Sequence, residues 1–249
     1  MAGVGRTFFE RTQYRFLGPS DQQQGRAQPP LERALPTTLE APLLELPPAD
    51  GLLADLASLP LGEAIERRQS VRDYSDKPLS LEELSLLLWG TQGVRRTIPG
   101  KATFRAVPSA GARHPFETLL WIRHVASLDP GLYQYFAGSH CLRPLSHDTA
   151  LDAGLTKACL DQACVASCAA LFMWIADVRR MTWRYGERGF RYLLVDAGHV
   201  CQNLYLLAEA LGLGACAIGA FQDEAVSALL AIDHAELLPV YLATVGRRA

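Results

Sequence analysis

The feature that most constrains the fold is an apolar pattern between Phe190 and Leu211. Apolar side chains recur there every three or four residues, at Phe190, Leu193, Leu194, Ala197, Cys201, Leu204, Ala208 and Leu211. This spacing is that of one stripe on an α-helix of about six turns. Gly212 follows at once and is the residue type that most readily ends a helix. The pattern predicts a long, buried central helix, against which the rest of the chain must pack.

Short apolar runs on both sides of this helix predict β-strands. They cover residues 116–125, 132–136, 140–143, 170–178, 212–221 and 237–245. The run at 170–178 is almost continuously apolar, as expected of a strand buried on both faces. Strands and helices do not alternate regularly, so the pattern favours an α+β fold over a doubly wound one.

The first 59 residues are expected to form an N-terminal arm, and residues 60–249 the folded domain. Seven of the 15 prolines fall between Pro19 and Pro48, which excludes long helices and central strands there. A short helical turn is predicted near residues 52–56. Further helices are predicted at 61–68, at 81–89 behind a capping box formed by Ser80 and Glu83, at 150–169 and at 223–231. Residues 93–104 are predicted to be a mobile surface loop.

Composition excludes several classes of function. A net charge of −2 and a pI near 6.3 argue against a nucleic-acid partner. No apolar run reaches the roughly 18 residues that span a bilayer, and no export signal stands at the start. The cysteine and histidine spacings match no metal site. Cys164 and Cys168 are expected to be small buried residues, and free thiols suit a reducing cytoplasm.

An arginine cluster at residues 67–72 reads Arg-Arg-Gln-Ser-Val-Arg. Guanidinium groups match phosphate oxygens two at a time, so the cluster fits a dianion. A solvated helix end whose arginines complement the helix dipole is an equally good interpretation. The glycines at 212, 214 and 219 do not form G-x-G-x-x-G ahead of a helix, which argues against a Rossmann dinucleotide site.

A proline segment at residues 108–115, Pro-Ser-Ala-Gly-Ala-Arg-His-Pro, has small side chains that allow close approach to a flat ligand. Together with Arg-Arg-Gln-Ser-Val-Arg-Asp-Tyr, Asp-Ala-Gly-His-Val-Cys-Gln-Asn and Gly-Leu-Gly-Ala, in this order, it resembles the nitroreductase superfamily of FMN enzymes. Within that superfamily the chain is similar to SagB-type dehydrogenases, which include azoline-oxidising partners of peptide heterocyclases. The resemblance covers about residues 60–248.

The resemblance implies a mostly antiparallel mixed sheet flanked by helices, in a homodimer that binds FMN at its interface. It assigns the FMN phosphate and polar chain to Arg67, Arg68, Ser70 and Arg248 or Arg247. The isoalloxazine ring is assigned to Pro108, Ser109, Ala110 and Gly111 of the other subunit, and to the backbone at Ile218 and Gly219. Bonds to the ring would tune the flavin's electronics.

The resemblance also implies a catalytic pair, Tyr185 and Arg184. Azoline dehydrogenases carry Lys-Tyr before the central helix, and Arg184 replaces the lysine here. A guanidinium cannot act as a base, but it can orient Tyr185 or a substrate carbonyl. Tyr185 also fits a half-buried structural tyrosine. A second departure is Ala112, where the wider superfamily often has asparagine.

Two histidines are candidates for the substrate pocket. His114 lies in the proline segment, and His199 lies on the predicted central helix, where a hydrogen-bonded core histidine is the alternative.

Three functions remain open from the sequence. The first is oxidation of an azoline-like heterocycle, in a small molecule or modified peptide, with hydride transfer to flavin N5. The second is an NAD(P)H-dependent nitroaromatic or quinone reductase. The third is a flavin-binding subunit of a heterocyclase complex that does not turn over.

Overall fold

The protein is built around one antiparallel sheet, in a computed structural model that describes residues 3–37, 39–56 and 58–249. The strands of this sheet are β1 Leu44–Glu45, β4 Phe116–Ile122, β5 Gly131–Phe136, β6 Cys141–Ser146, β7 Ala170–Asp177, β8 Leu213–Ile218 and β9 Leu237–Arg247. Their order is β1-β6-β5-β4-β7-β9-β8. Every pairing between them is antiparallel, which confirms the predicted α+β architecture.

Strand β7 is buried on both faces, as its continuous apolar sequence predicts. Phe172 and Trp174 pack into the core on one face of the sheet, and Leu171 and Met173 pack into the core on the other. This alternation follows from the period of two along a strand. The sheet is therefore covered by apolar side chains on each side.

Helices cover both faces of the sheet. They are α1 Val4–Arg11, α2 Ala49–Leu56, α3 Leu61–Arg67, α4 Leu81–Gln92, α5 Ala150–Ala158, α6 Ala163–Ser167, α7 Val178–Tyr185, α8 Gly189–Ala210 and α9 Asp223–Leu229. Helices α4 and α8 pack together on one face, and α5, α6 and α9 cover the other. The predicted capping box opens α4: Glu83 N–H donates to Ser80 Oγ, and Ser80 N–H donates to the Glu83 carboxylate. No helix in the described ranges is long and apolar enough to cross a membrane.

The long helix α8 has the predicted length, 22 residues, but it is not buried all round. Leu193, Ala197 and Leu204 are in the core, whereas Leu194 is 60% exposed and Val195 is 53% exposed. The apolar pattern is therefore wider than the stripe that this chain buries. Within the described residues of this single chain, Leu194 and Val195 on α8 have no covering surface.

Five local predictions are wrong. Strand β4 ends at Ile122, not at residue 125, and β8 ends at Ile218, not at residue 221. Residues 93–104 are not a surface loop, because Val94–Ile98 (β2) pairs with Ala102–Arg105 (β3) in a separate hairpin. The helix predicted at 150–169 is broken between α5 and α6, where Leu160 and Asp161 have positive φ angles that no helix accommodates. Strand β6 extends to Ser146, although it was expected to end at 143.

All six cysteines are free and buried, including Cys164 and Cys168.

The N-terminal arm is bound to the domain through buried polar side chains. Arg33 N–H donates to Glu117 Oε1 over 2.7 Å, and Leu35 N–H donates to Gln134 Oε1 over 2.9 Å. Leu35 and Leu46 are buried, so the arm contributes to the core more than its proline content suggests. Residues 1, 2, 38 and 57 of the predicted arm lie outside the described residues.

The arginine cluster is held beside the end of the sheet by a close approach of backbone and side chains. Val71 N–H donates to Ala215 O over 2.9 Å. A Cβ at Gly214 would lie 2.6 Å from Val71 Cγ1, and a Cβ at Gly246 would lie 2.8 Å from Tyr74 Cδ1. At positions 214 and 246, only glycine leaves room for Val71 and Tyr74.

Gly214→Ala is expected to destabilise the protein by about 1–3 kcal/mol, because the added methyl overpacks the contact with Val71. The midpoint of thermal unfolding measures this change. Gly62→Ala is the matched control, since nothing lies within 4 Å of a Cβ there and alanine favours helix α3. Equal losses of stability in the two variants would contradict the packing argument.

Candidate active site

Tyr205 of α8 joins the arginine cluster to strand β8. Its hydroxyl accepts a hydrogen bond from Ala217 N–H at 2.7 Å and lies 2.9 Å from Ser70 Oγ. The Arg68 guanidinium lies over the Tyr205 ring, 5.3 Å from its centroid. The structure thus brings Ser70 and Arg68 together with the strand that ends at Ile218, just before Gly219.

The four candidate arginines differ in how their charge is compensated. Arg67 pairs with Glu63, Arg248 pairs with Glu209, and Arg247 Nη2 lies 2.8 Å from Glu83 Oε2. Arg68 has no carboxylate within 4.0 Å among the described residues. Its cation is the one most available to an added anion.

The proline segment is anchored to α8 by Asp196. Ser109 Oγ donates to Asp196 Oδ2 over 2.5 Å, and Ala110 N–H donates to Asp196 Oδ1 over 3.2 Å. His114 N–H in turn donates to Ser109 Oγ over 2.9 Å. Burial raises the pKa of Asp196, and its bond from Ser109 opposes that shift. Ser109 therefore has a bonding role within the chain, while Pro108 and Gly111 are exposed.

Tyr185 and Arg184 lie against the proline segment. A Cβ at Gly111 would be 2.6 Å from Tyr185 Oη and 2.8 Å from Arg184 Cδ. Gly111 has φ +56°, which glycine adopts without strain. The pair also borders a cavity of about 610 Å³ whose other wall is formed by residues 14–23 of the N-terminal arm. The arm is attached here by Gln22 N–H, which donates to Trp183 O over 2.8 Å.

The two candidate histidines have different surroundings. His114 is buried, and desolvation together with the charges of Arg105 and Arg113 lowers its pKa to about 3. It is therefore a neutral ring at physiological pH. His199 is exposed on α8, which contradicts the alternative of a core histidine.

Strand β8 ends at the remaining candidate positions. The Ile218 side chain is buried in the core, so only its backbone faces a ligand. Gly219 is exposed, and the nearest atom to a Cβ there is Tyr241 Cε2 at 3.8 Å. The space beside the Gly219 backbone is therefore open.

Within one chain the candidates form two groups along α8. One group surrounds Tyr205 and the other surrounds Asp196, nine residues away, which corresponds to about 14 Å along a helix. Sequence reasoning missed both of these residues. The sequence could have indicated a role for Asp196, because it is a carboxylate within the apolar stripe. It could not have done so for Tyr205, since a tyrosine is ordinary on a partly buried helix face.

Comparison with known proteins identifies the family. The sequence model of the Nitroreductase family matches residues 65–247. The chain belongs to the nitroreductase family. It is accordingly an oxidoreductase with a nitroreductase-like fold, and the whole N-terminal arm lies outside the matched residues.

Two relatives have informative coverage. The candidate nitroreductase MJ1384 of Methanocaldococcus jannaschii is 36% identical over 197 residues, covering 79% of this chain and 95% of that protein. The trifolitoxin-processing protein TfxB of Rhizobium leguminosarum bv. trifolii is 29% identical over 163 residues. That alignment covers 62% of this chain and 44% of TfxB, so this chain spans less than half of its length.

Three solved structures share the fold. A candidate nitroreductase from Anabaena variabilis matches with a TM-score of 0.66 and 30% identity, over 76% of this chain and 38% of that one. The Escherichia coli microcin synthetase McbBCD complex, with truncated pro-MccB17 bound, matches at TM-score 0.64 and 18% identity, over 99% and 92%. A candidate nitroreductase in complex with FMN from Desulfovibrio desulfuricans matches at 0.55 and 22%, over 77% and 87%. The last two likenesses concern the fold alone.

The neutral state of His114 predicts a dependence of stability on pH. The unfolded ring has a pKa of 6.5 and the folded ring about 3, so the unfolded state binds the proton first as pH falls. Stability present above pH 6.5 is thus lost on acidification. Between pH 7 and pH 5, the free energy of unfolding of the wild type should fall by about 2 kcal/mol more than that of His114→Gln.

Urea unfolding at each pH provides this measurement. His147→Gln is the control for the loss of an imidazole as such, because that ring is exposed. Parallel profiles for the wild type and His114→Gln would mean that the folded ring takes up a proton, contrary to expectation.

Proposed function

We propose that this protein is an FMN-dependent dehydrogenase of the SagB type that oxidises an azoline-like heterocycle. The observation that carries the proposal is the hydrogen-bonded group of Ser70, Tyr205 and Ala217. This group joins the arginine cluster to strand β8, close to its exposed end. Family membership supports a flavin, and so does the fold shared with an FMN-bound structure.

The residues of this group fit FMN. Arg68 offers an uncompensated guanidinium and Ser70 an exposed hydroxyl, both suited to a phosphate dianion. Gly219 and Gly111 leave backbone accessible to a flat ring. Arg67, Arg247 and Arg248 would have to share their charge with the carboxylates that already bind them, so Arg68 is proposed as the main phosphate ligand.

A homodimer is proposed to complete the site. The proline segment is anchored at Asp196, about 14 Å along α8 from Tyr205, so a second copy is proposed to bring its own segment to the ring. Exposed Leu194 and Val195 lie on the same helix and suit burial against that copy. The N-terminal arm, residues 1–59, is proposed as an extension of the flavin-binding domain at residues 60–249.

Bound FMN would accept a hydride at N5. The chain's own part is to hold the substrate and remove one proton from the carbon next to the one that loses hydride. Tyr185 is proposed as that base, because its hydroxyl lies against Gly111 of the ring-contacting segment. Arg184, with its guanidinium 5.7 Å from the Tyr185 ring centroid, is proposed to orient Tyr185 and the substrate.

The choice of an azoline substrate is supported by two comparisons. One relative is named as a trifolitoxin-processing protein, and the fold is shared with a microcin synthetase complex that has truncated pro-MccB17 bound. The second candidate function is an NAD(P)H-dependent reductase of nitroaromatics or quinones. It is favoured by the 36% identity to a candidate nitroreductase and by an arginine at position 184, which cannot act as a base.

Arg68→Met is expected to weaken FMN binding about tenfold or more, because a charge-assisted contact with the phosphate is lost. Titration of the apoprotein, followed by quenching of FMN fluorescence, measures this affinity. Arg72→Met is the matched control, since it removes the same charge from the same cluster. If the two variants lost affinity equally, the general field of the cluster would explain binding and the specific role of Arg68 would be wrong.

The two candidate functions are separated by the flavin-loaded protein under anaerobic conditions. The proposed dehydrogenase should keep its flavin absorbance with NADPH and lose it with an azoline-containing peptide. Tyr185→Phe should retain FMN and lower the rate of that reduction at least a hundredfold, as general-base catalysis predicts. Bleaching by NADPH, with an unchanged rate in Tyr185→Phe, would instead establish the reductase.

Tyr14→Phe is the control for this variant, because Tyr14 borders the same cavity without approaching Gly111. Its rate should equal that of the wild type. A flavin that neither donor reduces would contradict both candidates and indicate a non-catalytic flavin-binding subunit.

A further inference from the structure

A second cleft, of about 900 Å³, lies next to the candidate catalytic pair. Pro108, Ser109 and Gly111 form one border, and Trp183 forms a flat wall. The cleft therefore shares its edge with the segment proposed to contact the flavin ring. Its volume is in the range of sites that enclose small ligands.

The charged side chains that line this cleft are all cationic. Its lining contains five cationic side chains, which are Arg95, Lys101, Arg105, Arg113 and Arg184. Within the described part of the chain, no aspartate or glutamate lines it. A whole chain with net charge −2 thus presents a cleft of uniformly positive charge.

Ion pairs compensate part of the chain's positive charge, but not that of the cleft. Eight arginines elsewhere, at positions 6, 26, 33, 67, 123, 180, 247 and 248, lie within ion-pair distance of a carboxylate. None of the five cations of the cleft does so among the described residues. Arg113 instead donates to the carbonyls of Lys101 and Gly111, over 2.9 Å and 3.2 Å. Close cations without a counter-charge repel each other and favour a bound anion.

Arg105 lies at the base of the cleft, where its guanidinium is buried and held in place by hydrogen bonds. It is only 6% exposed, Nη1 donates to Gln92 Oε1 over 3.0 Å, and Nε donates to Thr103 Oγ1 over 3.3 Å. These two bonds fix the plane of the guanidinium. Nη2 is buried and has no hydrogen-bond partner among the described residues. A buried donor without a partner costs free energy, and an incoming oxygen atom would remove that cost.

We infer that this cleft binds an oxyanion, a carboxylate or a phosphate, carried by the molecule that exchanges hydride with the flavin. The inference rests on the proposed function for the position of the flavin, whereas the anion site itself rests on Arg105 and its neighbours. Arg105 binds the anion at the base of the cleft, and Lys101 adds charge at the exposed rim. Trp183 lines one wall of the cleft, and the Arg113 guanidinium lies over its ring, 5.3 Å from the centroid.

Calorimetric titration of the flavin-loaded protein tests the inference with three probes. NADP⁺ and NAD⁺ differ by one phosphate and cannot reduce the flavin, and citrate presents carboxylates alone. Tighter binding of NADP⁺ than of NAD⁺ would assign the anion to a phosphorylated nucleotide. Binding of citrate without discrimination between the nucleotides would assign it to an acidic substrate. Failure of all three probes to bind would overturn the inference.

Arg105→Met should weaken whichever probe binds by tenfold or more, and Arg105→Lys should lose less. Lys101→Met keeps the test decisive if Arg105→Met fails to fold, because Lys101 is exposed, and it should weaken binding several-fold. Arg179→Met is the control: it removes the same charge from exposed α7 outside the cleft and should leave affinity unchanged. An equal effect of Arg179→Met would overturn the specific site.

Flavin content, read from absorbance, separates this inference from the proposed function. The cleft variants should retain as much FMN as the wild type. Loss of FMN together with loss of the probe would assign the cleft to the flavin and overturn a separate anion site. A wild-type protein that binds no FMN, yet binds citrate in a manner that depends on Arg105, would refute the proposed function and leave the anion site standing.

Discussion

The packing of α8 against one face of the sheet is the interaction on which the rest of the structure depends. Its apolar stripe is buried by α4 and by strands β8 and β9. Because this packing fixes the position of the helix, it also fixes the positions of the polar side chains that the helix carries. Asp196 holds the proline segment, and Tyr205 holds the arginine cluster to β8. A core helix thereby determines the positions of two surface segments.

Much of this architecture follows from local sequence rules. The period of α8, the continuous apolar run of β7 and the capping box at Ser80 each have one physical interpretation, and each prediction is confirmed. The predictions failed where no apolar period marks the local structure. The β2–β3 hairpin has polar strands that no apolar pattern marks, and the break after α5 depends on two residues with positive φ.

The candidate site was accessible to sequence reasoning only in part. Arg68, Ser70 and the proline segment stood out through composition, because charge and small size are visible in a sequence. The partners that position them were not visible, since Tyr205 is 135 residues from Ser70 and Asp196 is 87 residues from Ser109. Nor did the sequence indicate which arginine is uncompensated. That property depends on the neighbouring carboxylates, which the fold assigns to Arg67, Arg247 and Arg248.

The two ends of the main sheet are covered by segments that are not part of the sheet's central strands. At one edge, Leu44 and Glu45 pair with β6, and at the other Val71 N–H bonds to Ala215 O. Unpaired edge strands offer backbone groups to neighbouring molecules and promote aggregation. The arm and the arginine cluster therefore each occupy part of an edge of the long antiparallel sheet, where backbone groups would otherwise be open to edge-to-edge association.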